Sequence, residues 1–502
     1  MKLSQLFSRA RLSFPEELGD INLSGIETDS RRVSPNCLFL CIRGLHADGH
    51  EFVSEALEKG AAVIVAEKVH DACAGGAATV LVEDTRRAAS LLYHAWYGNP
   101  AEHMKLIGVT GTNGKTSVSF MLTAILEEAG HPCGLIGTVC CTSPGGRRLA
   151  THPENETANM TTPDPSELFR LLAEMRADGA EFVVMEVTSH ALALRKIEGL
   201  TFEIGVFTNL TQDHLDFHSD MESYFCEKAK LFDVCKRALI CVDDPYGRRL
   251  FKQLKCPSVS CSRSSEENAG AFASDIRYYG MRGCSYLWHF GREESRVFLP
   301  LAGTFAVMNS LEAATAARLL GLSPRQILCA LRYMKQVPGR MELVPLGGAA
   351  DFRVLIDYAH TPDALEKLLK SLISAKHGKE RILLLFGCGG ERDRSKRREM
   401  AHIASRLSDF VILTSDNARN ENPKAILVDI QRGMDKEKPY VVIEDRREAI
   451  RFGVSLCRTG DILVLAGKGH ETYEINRTGK HPFDEKQIVM EALVDMGQPK
   501  GQ

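Results

Sequence analysis

Apolar residues along the chain gather in short solid runs and longer stripes instead of strict alternation. Leu106–Val109, Phe182–Val187 and Ile204–Thr208 are runs of the kind that strands buried on both faces of a parallel sheet require. The last third repeats the pattern at Val354–Ile356, Ile382–Phe386, Phe410–Leu413, Tyr440–Ile443 and Ile462–Ala466, with helical stripes between, Ala364–Ile373 being the clearest. Strand then helix, five times over, predicts a parallel sheet with right-handed crossovers. Asp164-Pro165 opens another helix, with Asp as N-cap and Pro in the first turn. Leu168, Leu171, Leu172 and Met175 form its apolar face and Gly179 ends it. Leu301–Asn309 leads into a helix over Ser310–Leu320. Nearer the start, Cys37–Ile42 and Ala61–Ala66 read as strands and Thr85–Tyr97 as an amphipathic helix, and Gly98-Asn99-Pro100 marks a boundary. The expected fold is α/β in three domains. Residues 1–98 form a small N-terminal α/β domain, 99–336 a central domain with a parallel sheet, and 337–502 a C-terminal Rossmann-like domain. A length of 502 residues fits three domains of ~150 each.

The first of these runs breaks into Thr110-Gly111-Thr112-Asn113-Gly114, and Lys115-Thr116-Ser117 then start a helix carrying Phe120, Met121 and Leu122. Strand, glycine loop, Lys-Thr and helix is the layout of a phosphate cradle, so 99–336 is expected to be a P-loop-type ATPase domain. Gly111 and Gly114 let backbone N–H groups approach phosphate oxygens, and the helix N-terminus adds a positive dipole. Lys115 would reach the outer phosphates and the Thr116 hydroxyl a Mg²⁺ ion. Val109 departs from the usual motif, which has a small residue there. A plain tight turn is the bland alternative, and the Lys-Thr pair with its helix argues against it.

Other polar residues stand where strands end. Glu186 closes Phe182–Val187, and a carboxylate in so apolar a run needs a partner or a metal. Asp213-His214-Leu-Asp216-Phe-His218 follows another strand; its spacing also suits a dinuclear metallohydrolase or a capped turn. Lys228 and Lys230 on the next helix read as a solvated face, and Arg340 sits on a turn, Val337-Pro338-Gly339-Arg340, from which it would clamp phosphate charge. Four strand ends of the last third are crowded with polar groups: Asp357 to His360, Gly387 to Asp393, Asp416 to Arg419, and Gly467 to Glu471. Ligands bind beyond the carboxyl ends of such strands, so these four together indicate a binding face. Asp29-Ser30-Arg31-Arg32 and Arg43–His50 read as solvated loops that would also suit an anion.

Composition narrows the partners. A net charge of −3 argues against a general nucleic-acid or membrane surface. Fifteen scattered cysteines without CxxC pairs read as reduced core residues of a cytosolic protein. No apolar run approaches the ~18 residues of a membrane span, and the N-terminal stretch lacks the apolar core of a signal peptide, so a cytoplasmic location is expected.

Taken in order, TGTNGKTS, MEVTSHAL, NLTQDHLDFH, YFCEKAKLF, VPGRME, IDYAHTPDALE and FGCGGERDR resemble the Mur ligases, the ATP-dependent amino-acid-adding enzymes of peptidoglycan synthesis. Within that family TDSRRV, DNARNENP and GKGHETYE are similar to the member that adds a diamino acid to UDP-N-acetylmuramoyl-L-alanyl-D-glutamate. The resemblance implies a monomeric enzyme acting on small molecules through an acyl phosphate. Gly111, Thr112, Asn113, Gly114, Lys115, Thr116, Ser117, Asn309, Arg340, Asp357 and His360 would contact ATP. Thr116, Glu186, His214 and a carbamylated Lys228 would hold Mg²⁺. Catalysis would fall to Lys115, Lys228, His214 and Arg340. The UDP-muramoyl dipeptide would meet Ser30, Thr161, Thr162, Ser189 and Arg195.

For the amino acid, the resemblance points to Arg392, Asp416, Asn417, Arg419, Gly467 and Glu471. Arg419 would pair with the distal carboxylate of meso-diaminopimelate and Glu471 with its distal ammonium. Lysine-adding members lack that arginine, so meso-diaminopimelate is the expected substrate, with L-lysine or another diamino acid as the alternative. Two positions depart from the family pattern: Ala418 stands in place of the proline of DNPR, and Ala306 in place of the asparagine of GxFNVxN. Folylpolyglutamate synthetase shares the loop, but TDSRRV and GKGHETYE argue against it. A nucleotide-binding metallohydrolase and a non-catalytic scaffold are the readings from other classes.

Overall fold

A computed structural model describes residues 1–497 apart from 45–46, 72, 74–77, 152–159, 214–216, 265–268, 349 and 377. Three α/β units follow one another. The first holds a 4-stranded sheet including Leu38–Leu40 and Val63–Ala66, paired in parallel. Its helix Thr85–Trp96 starts where Asp84 accepts the Arg87 N–H at 2.9 Å, an ordinary N-cap.

The central unit is built on an 11-stranded sheet. Lys105–Thr110 lies at its middle, parallel to Phe202–Phe207 on one side and to Phe182–Glu186 on the other. Strand pairs that include Cys284–Phe290 and Glu293–Leu299 add antiparallel edges to the expected parallel core. Helix Lys115–Glu128 packs on one face, where Val118, Met121, Leu122 and Ile125 are buried against Val307, Leu311 and Ala314 of helix Thr304–Leu319. Each of the Val, Leu, Ile and Met side chains contributes about 1.5–3 kcal/mol relative to exposure. The second helix begins at Thr304, six residues before the expected Ser310, so Asn309 lies within it. On the opposite face, helix Pro165–Ala177 and helix Thr85–Trp96 share one apolar cluster, so the first unit shares a core with the second.

The third unit carries a 6-stranded sheet ordered Glu342–Leu343, Arg353–Asp357, Ile462–Ala466, Ile382–Phe386, Phe410–Leu413, Tyr440–Val442. The expected five strands pair in parallel, and Glu342–Leu343 adds an antiparallel edge. Ile462–Ala466, the last of these strands in sequence, inserts between Arg353–Asp357 and Ile382–Phe386, which brings the four polar strand ends side by side. Among the described residues no helix is long and apolar enough to cross a membrane, and all fifteen cysteines are free thiols.

Candidate active site

Register places the first elements. Val109 pairs with Glu186, so the carboxylate emerges beside the loop that follows Thr110. Val109 is fully buried, which accounts for an apolar residue at that place in the motif. Gly111 has φ +143°, and a Cβ there would lie 2.0 Å from Thr208 Oγ1, so only glycine fits. Asn209 Oδ1 accepts the Asn113 N–H at 3.0 Å and Thr208 Oγ1 donates to Asn113 O at 2.6 Å, bracing the loop from the neighbouring strand. Lys115 Nζ folds back to donate to Gly111 O and Thr112 O, both at 2.9 Å. Burial holds its pKa below the ordinary lysine value against the opposing pull of Glu186 and Asp213.

Glu186 has no exposed surface and is ringed by donors. Thr116 Oγ1 and Thr138 Oγ1 donate to its Oε2 at 3.1 and 3.0 Å, and the Thr138 N–H to its Oε1 at 2.9 Å. Thr161 meets Thr138 hydroxyl to hydroxyl at 3.0 Å, and Thr162 donates to Glu186 O at 2.9 Å. Ser189 Oγ contacts His218 Nε2 at 2.8 Å. Glu186 and Thr116 are hard oxygen donors of the kind that fit a Mg²⁺ ion. Lys228 is 1% exposed and donates to Gly111 O at 2.9 Å, the carbonyl that Lys115 also uses. Burial, then the charge on Lys115, pushes its pKa well below the ordinary value. Lys230, by contrast, is exposed and pairs with Glu227. His214 and Asp216 lie outside the described residues, and among the described residues no three His, Cys, Asp or Glu side chains form a metal cluster.

The third unit reaches into this region. Arg340 Nη2 donates to Thr116 Oγ1 at 3.2 Å, and the guanidinium lies 4.7 Å over the Tyr358 ring. Asp357 holds that turn by accepting the Met341 and Ala359 N–H groups at 2.7 and 2.8 Å; burial raises its pKa. His360 contacts Tyr358 O at 2.7 Å, and burial lowers its pKa. Beside the phosphate loop a pocket of mixed character is lined by Met121, Met281, Phe305, Asn309, Gln336 and Met341. It also includes Ser117 and Ala306, so the alanine at that departure faces the pocket.

The remaining loops build a polar cluster. Asn417 Nδ2 donates to Glu471 Oε2 at 2.8 Å, while its Oδ1 accepts from Lys468 Nζ at 3.0 Å and the Ile475 N–H at 2.9 Å. Lys468 is fully buried, 3.6 Å from Asp416. Burial works to raise the Asp416 pKa, but Lys468 and Arg446 outweigh it and hold the carboxyl below its ordinary range. Burial raises that of Glu471. Gly467 has φ +113°, and a Cβ there would sit 2.7 Å from Asp416 Oδ2. Arg419 Nη1 donates to Gly390 O at 2.9 Å; burial and the charge on nearby, exposed Arg392 lower its pKa. Ser30 and Arg195 are held elsewhere. Ser30 donates to Glu55 at 2.7 Å, and Arg195 pairs with Asp84 at 2.9 Å.

Sequence reasoning passed over several residues. Thr138 has no motif around it, and its role comes only from the strand beside Glu186. Asp363 reads as an acid in the first turn of its helix, yet its Oδ2 accepts from Asn113 Nδ2 at 2.7 Å across the boundary between units. Lys468 and His470 lie in a stretch noted only as polar. Helix Pro165–Ala177 begins as expected, but Asp164 gives no side-chain cap; it pairs with buried Lys196 at 2.7 Å.

A phosphate loop opening on a buried acid, overhung by the arginine turn of a second nucleotide-fold-like unit, defines an ATP-dependent ligase. Family descriptions agree along the chain: the Mur ligase family catalytic domain matches residues 22–96, the middle domain 109–317 and the glutamate ligase domain 339–469. A UDP-N-acetylmuramoyl-L-alanyl-D-glutamate--2,6-diaminopimelate ligase of Syntrophomonas wolfei is 42% identical over 98% of this chain and 99% of its own. A ligase of the same name from Caldanaerobacter subterraneus is 41% identical over 95% and 96%. A solved structure with that name superposes with a TM-score of 0.69 at 29% identity, covering 99% of this chain and 100% of that one. A Thermotoga maritima MurF ligase in complex with ADP shares the fold, with a TM-score of 0.61 at 18% identity over 94% and 96%. The chain belongs to the Mur ligase family.

Proposed function

We propose that this protein is the ATP-dependent ligase that joins meso-diaminopimelate to UDP-N-acetylmuramoyl-L-alanyl-D-glutamate, a step in peptidoglycan precursor synthesis. The observation that carries the reading is Arg419 placed beside the Asn417–Glu471 contact at the strand ends whose neighbouring turn reaches Thr116. A guanidinium reads a carboxylate and a carboxylate takes an ammonium. A diamino acid with both groups at its distal end uses both; lysine uses one.

The dipeptide carboxylate attacks the γ-phosphorus of ATP and ADP leaves, giving an acyl phosphate. The amine then attacks the acyl carbon, phosphate leaves and the amine proton is lost. Lys115 and Arg340 balance charge on the transferred group, and the backbone N–H groups of 111–117 cradle the phosphates. Asn309, Asp357 and His360 line the nucleotide side. Thr116, Glu186, His214 and Lys228 would hold Mg²⁺, which when bound neutralises phosphate charge. Lys228 serves as a carbamate. Its neutral amine adds to CO₂ with loss of a proton, turning one of two lysines on a single carbonyl into an anion. Ser30, Thr161, Thr162, Ser189 and Arg195 bind the UDP-muramoyl dipeptide, and Arg392, Asp416 and Gly467 complete the diamino-acid pocket. The enzyme works as a monomer in the cytoplasm, a compartment in which its fifteen free thiols stay reduced.

Phosphate release with ATP, the UDP-dipeptide and a panel of amino acids tests this. Release is expected with meso-diaminopimelate and only when all three substrates are present. Arg419→Ala should lower kcat/KM for diaminopimelate by about a hundredfold and leave that for lysine within about threefold. Release with ATP alone, or an unchanged preference in the variant, overturns the reading.

A further inference from the structure

Arg419 is held in the left-handed backbone region, φ +52°, which L side chains rarely adopt. Such a conformation persists only where the surroundings impose it. Ala418 imposes little: it is small, and among the described residues its N–H donates no hydrogen bond. One constraint is direct, the Arg419 N–H donating to Ile475 O at 3.0 Å; the other comes from below. Arg397 has no exposed surface and grips Glu421 through a two-pronged contact, Nη1 to Oε1 at 2.9 Å and Nη2 to Oε2 at 2.7 Å. The same guanidinium reaches Asp429 at 3.0 Å and Gly389 O at 3.5 Å. Glu421 Oε2 also accepts the Glu391 N–H at 3.2 Å, and Arg394 lies 3.2 Å from Oε1. These contacts hold the Glu421 carboxyl down at about 2.

Two loops are thereby tied to helix Ser395–Leu407. Glu421 stands two residues beyond Arg419, and its N–H donates to Ala418 O at 3.0 Å. Gly390 N–H donates to Asn417 O at 2.9 Å, and a Cβ on Gly390 would lie 2.0 Å from Ala418 O. Gly390 O is the acceptor for Arg419 Nη1. Movement of either loop would therefore turn the guanidinium. An exposed ion pair adds little, but a fork whose arginine is fully buried and which carries further hydrogen bonds fixes geometry.

We infer that Arg397 and Glu421 are a positioning pair that locks the 387–393 and 416–422 loops together and aims Arg419 at the distal carboxylate of the diamino acid. The inference rests on the proposed function. Its test compares the parent, Glu421→Gln, Arg397→Lys and the double variant Ala418→Pro/Glu421→Gln in steady-state phosphate release. The single variants should raise KM for diaminopimelate about tenfold and lower its preference over lysine to match, with kcat and KM for ATP within about twofold. Proline at 418 stiffens the turn independently and should restore most of the lost KM. An unchanged KM for diaminopimelate, or equal losses toward all three substrates without rescue, overturns the positioning role. A single variant that does not fold leaves the decision to the other and to the double variant. A parent enzyme without diaminopimelate turnover instead overturns the function on which the inference stands.

Discussion

At the scale of single residues, the chemistry depends on charges placed where water is scarce. Lys115 and Lys228 both donate to Gly111 O, an arrangement two ammonium groups would resist. The proposed carbamate on Lys228 would relieve that repulsion and give the site a second anion beside Glu186. Protein exposed to ¹³C-labelled bicarbonate should show a carbamate carbonyl signal by NMR, absent from Lys228→Met, and the variant should lose at least about a hundredfold in kcat. A signal that survives the substitution would sink the assignment. Lys115, Glu186 and Arg340 are legible from the sequence because each sits in a short motif with a mechanical reason for its residue type. Thr138 and Lys468 are not. Their contacts join segments 48 and 51 residues apart, and no local pattern records them.

At the scale of elements, strand runs and caps gave most boundaries within a residue or two, since burial on both faces leaves a solid apolar signature. Helix Thr304–Leu319 is the exception. Its first turn follows a glycine with φ +100° and no side-chain cap, so nothing local announces the start. Thr304 is fixed instead by Ser371 of the third unit, hydroxyl to hydroxyl at 2.9 Å. Packing between helices also predicts a pH response. His94 on helix Thr85–Trp96 lies 4.8 Å from the Phe169 ring of helix Pro165–Ala177, and its Nε2 is buried without a partner. Burial lowers its pKa from 6.5 to about 4, with Glu102 opposing weakly. Between those values the unfolded chain binds a proton that the folded chain refuses. Stability is therefore intact above pH 6.5 and declines as pH falls toward 4, by up to roughly 3 kcal/mol. Thermal melts from pH 7.5 to 4 should show a shallower decline for His94→Gln than for the parent. Parallel curves would refute the assignment.

At the scale of the whole molecule, the phosphate loop and the polar strand ends of the third unit belong to different units, joined by the Arg340 turn and helix Pro362–Ala375. Arg340 touches Thr116, and Asp363 accepts from both Asn113 and Thr211, at 2.7 and 3.2 Å. Asp363→Ala should leave the melting temperature within a few degrees, because the contact is partly exposed and lies outside the apolar cores. It should lower kcat by about tenfold, because misplacing Arg340 relative to the loop weakens charge stabilisation in the transition state. Melting curves and phosphate release on the same preparation check both halves. A large loss of stability with kcat preserved would reverse the argument.

The sequence by itself determined the α/β class, the phosphate loop, the parallel strands and the residues whose types the chemistry demands, because these follow from patterns within a few residues of one another. Only the tertiary structure decided which strand ends meet. Inserting Ile462–Ala466 between Arg353–Asp357 and Ile382–Phe386 carries Glu471 to Asn417, and the buried Arg397 ties Glu421 beneath Arg419. Strand order is a property of the packed sheet, set by buried area and crossover handedness summed over the whole domain, and no stretch of chain encodes it locally.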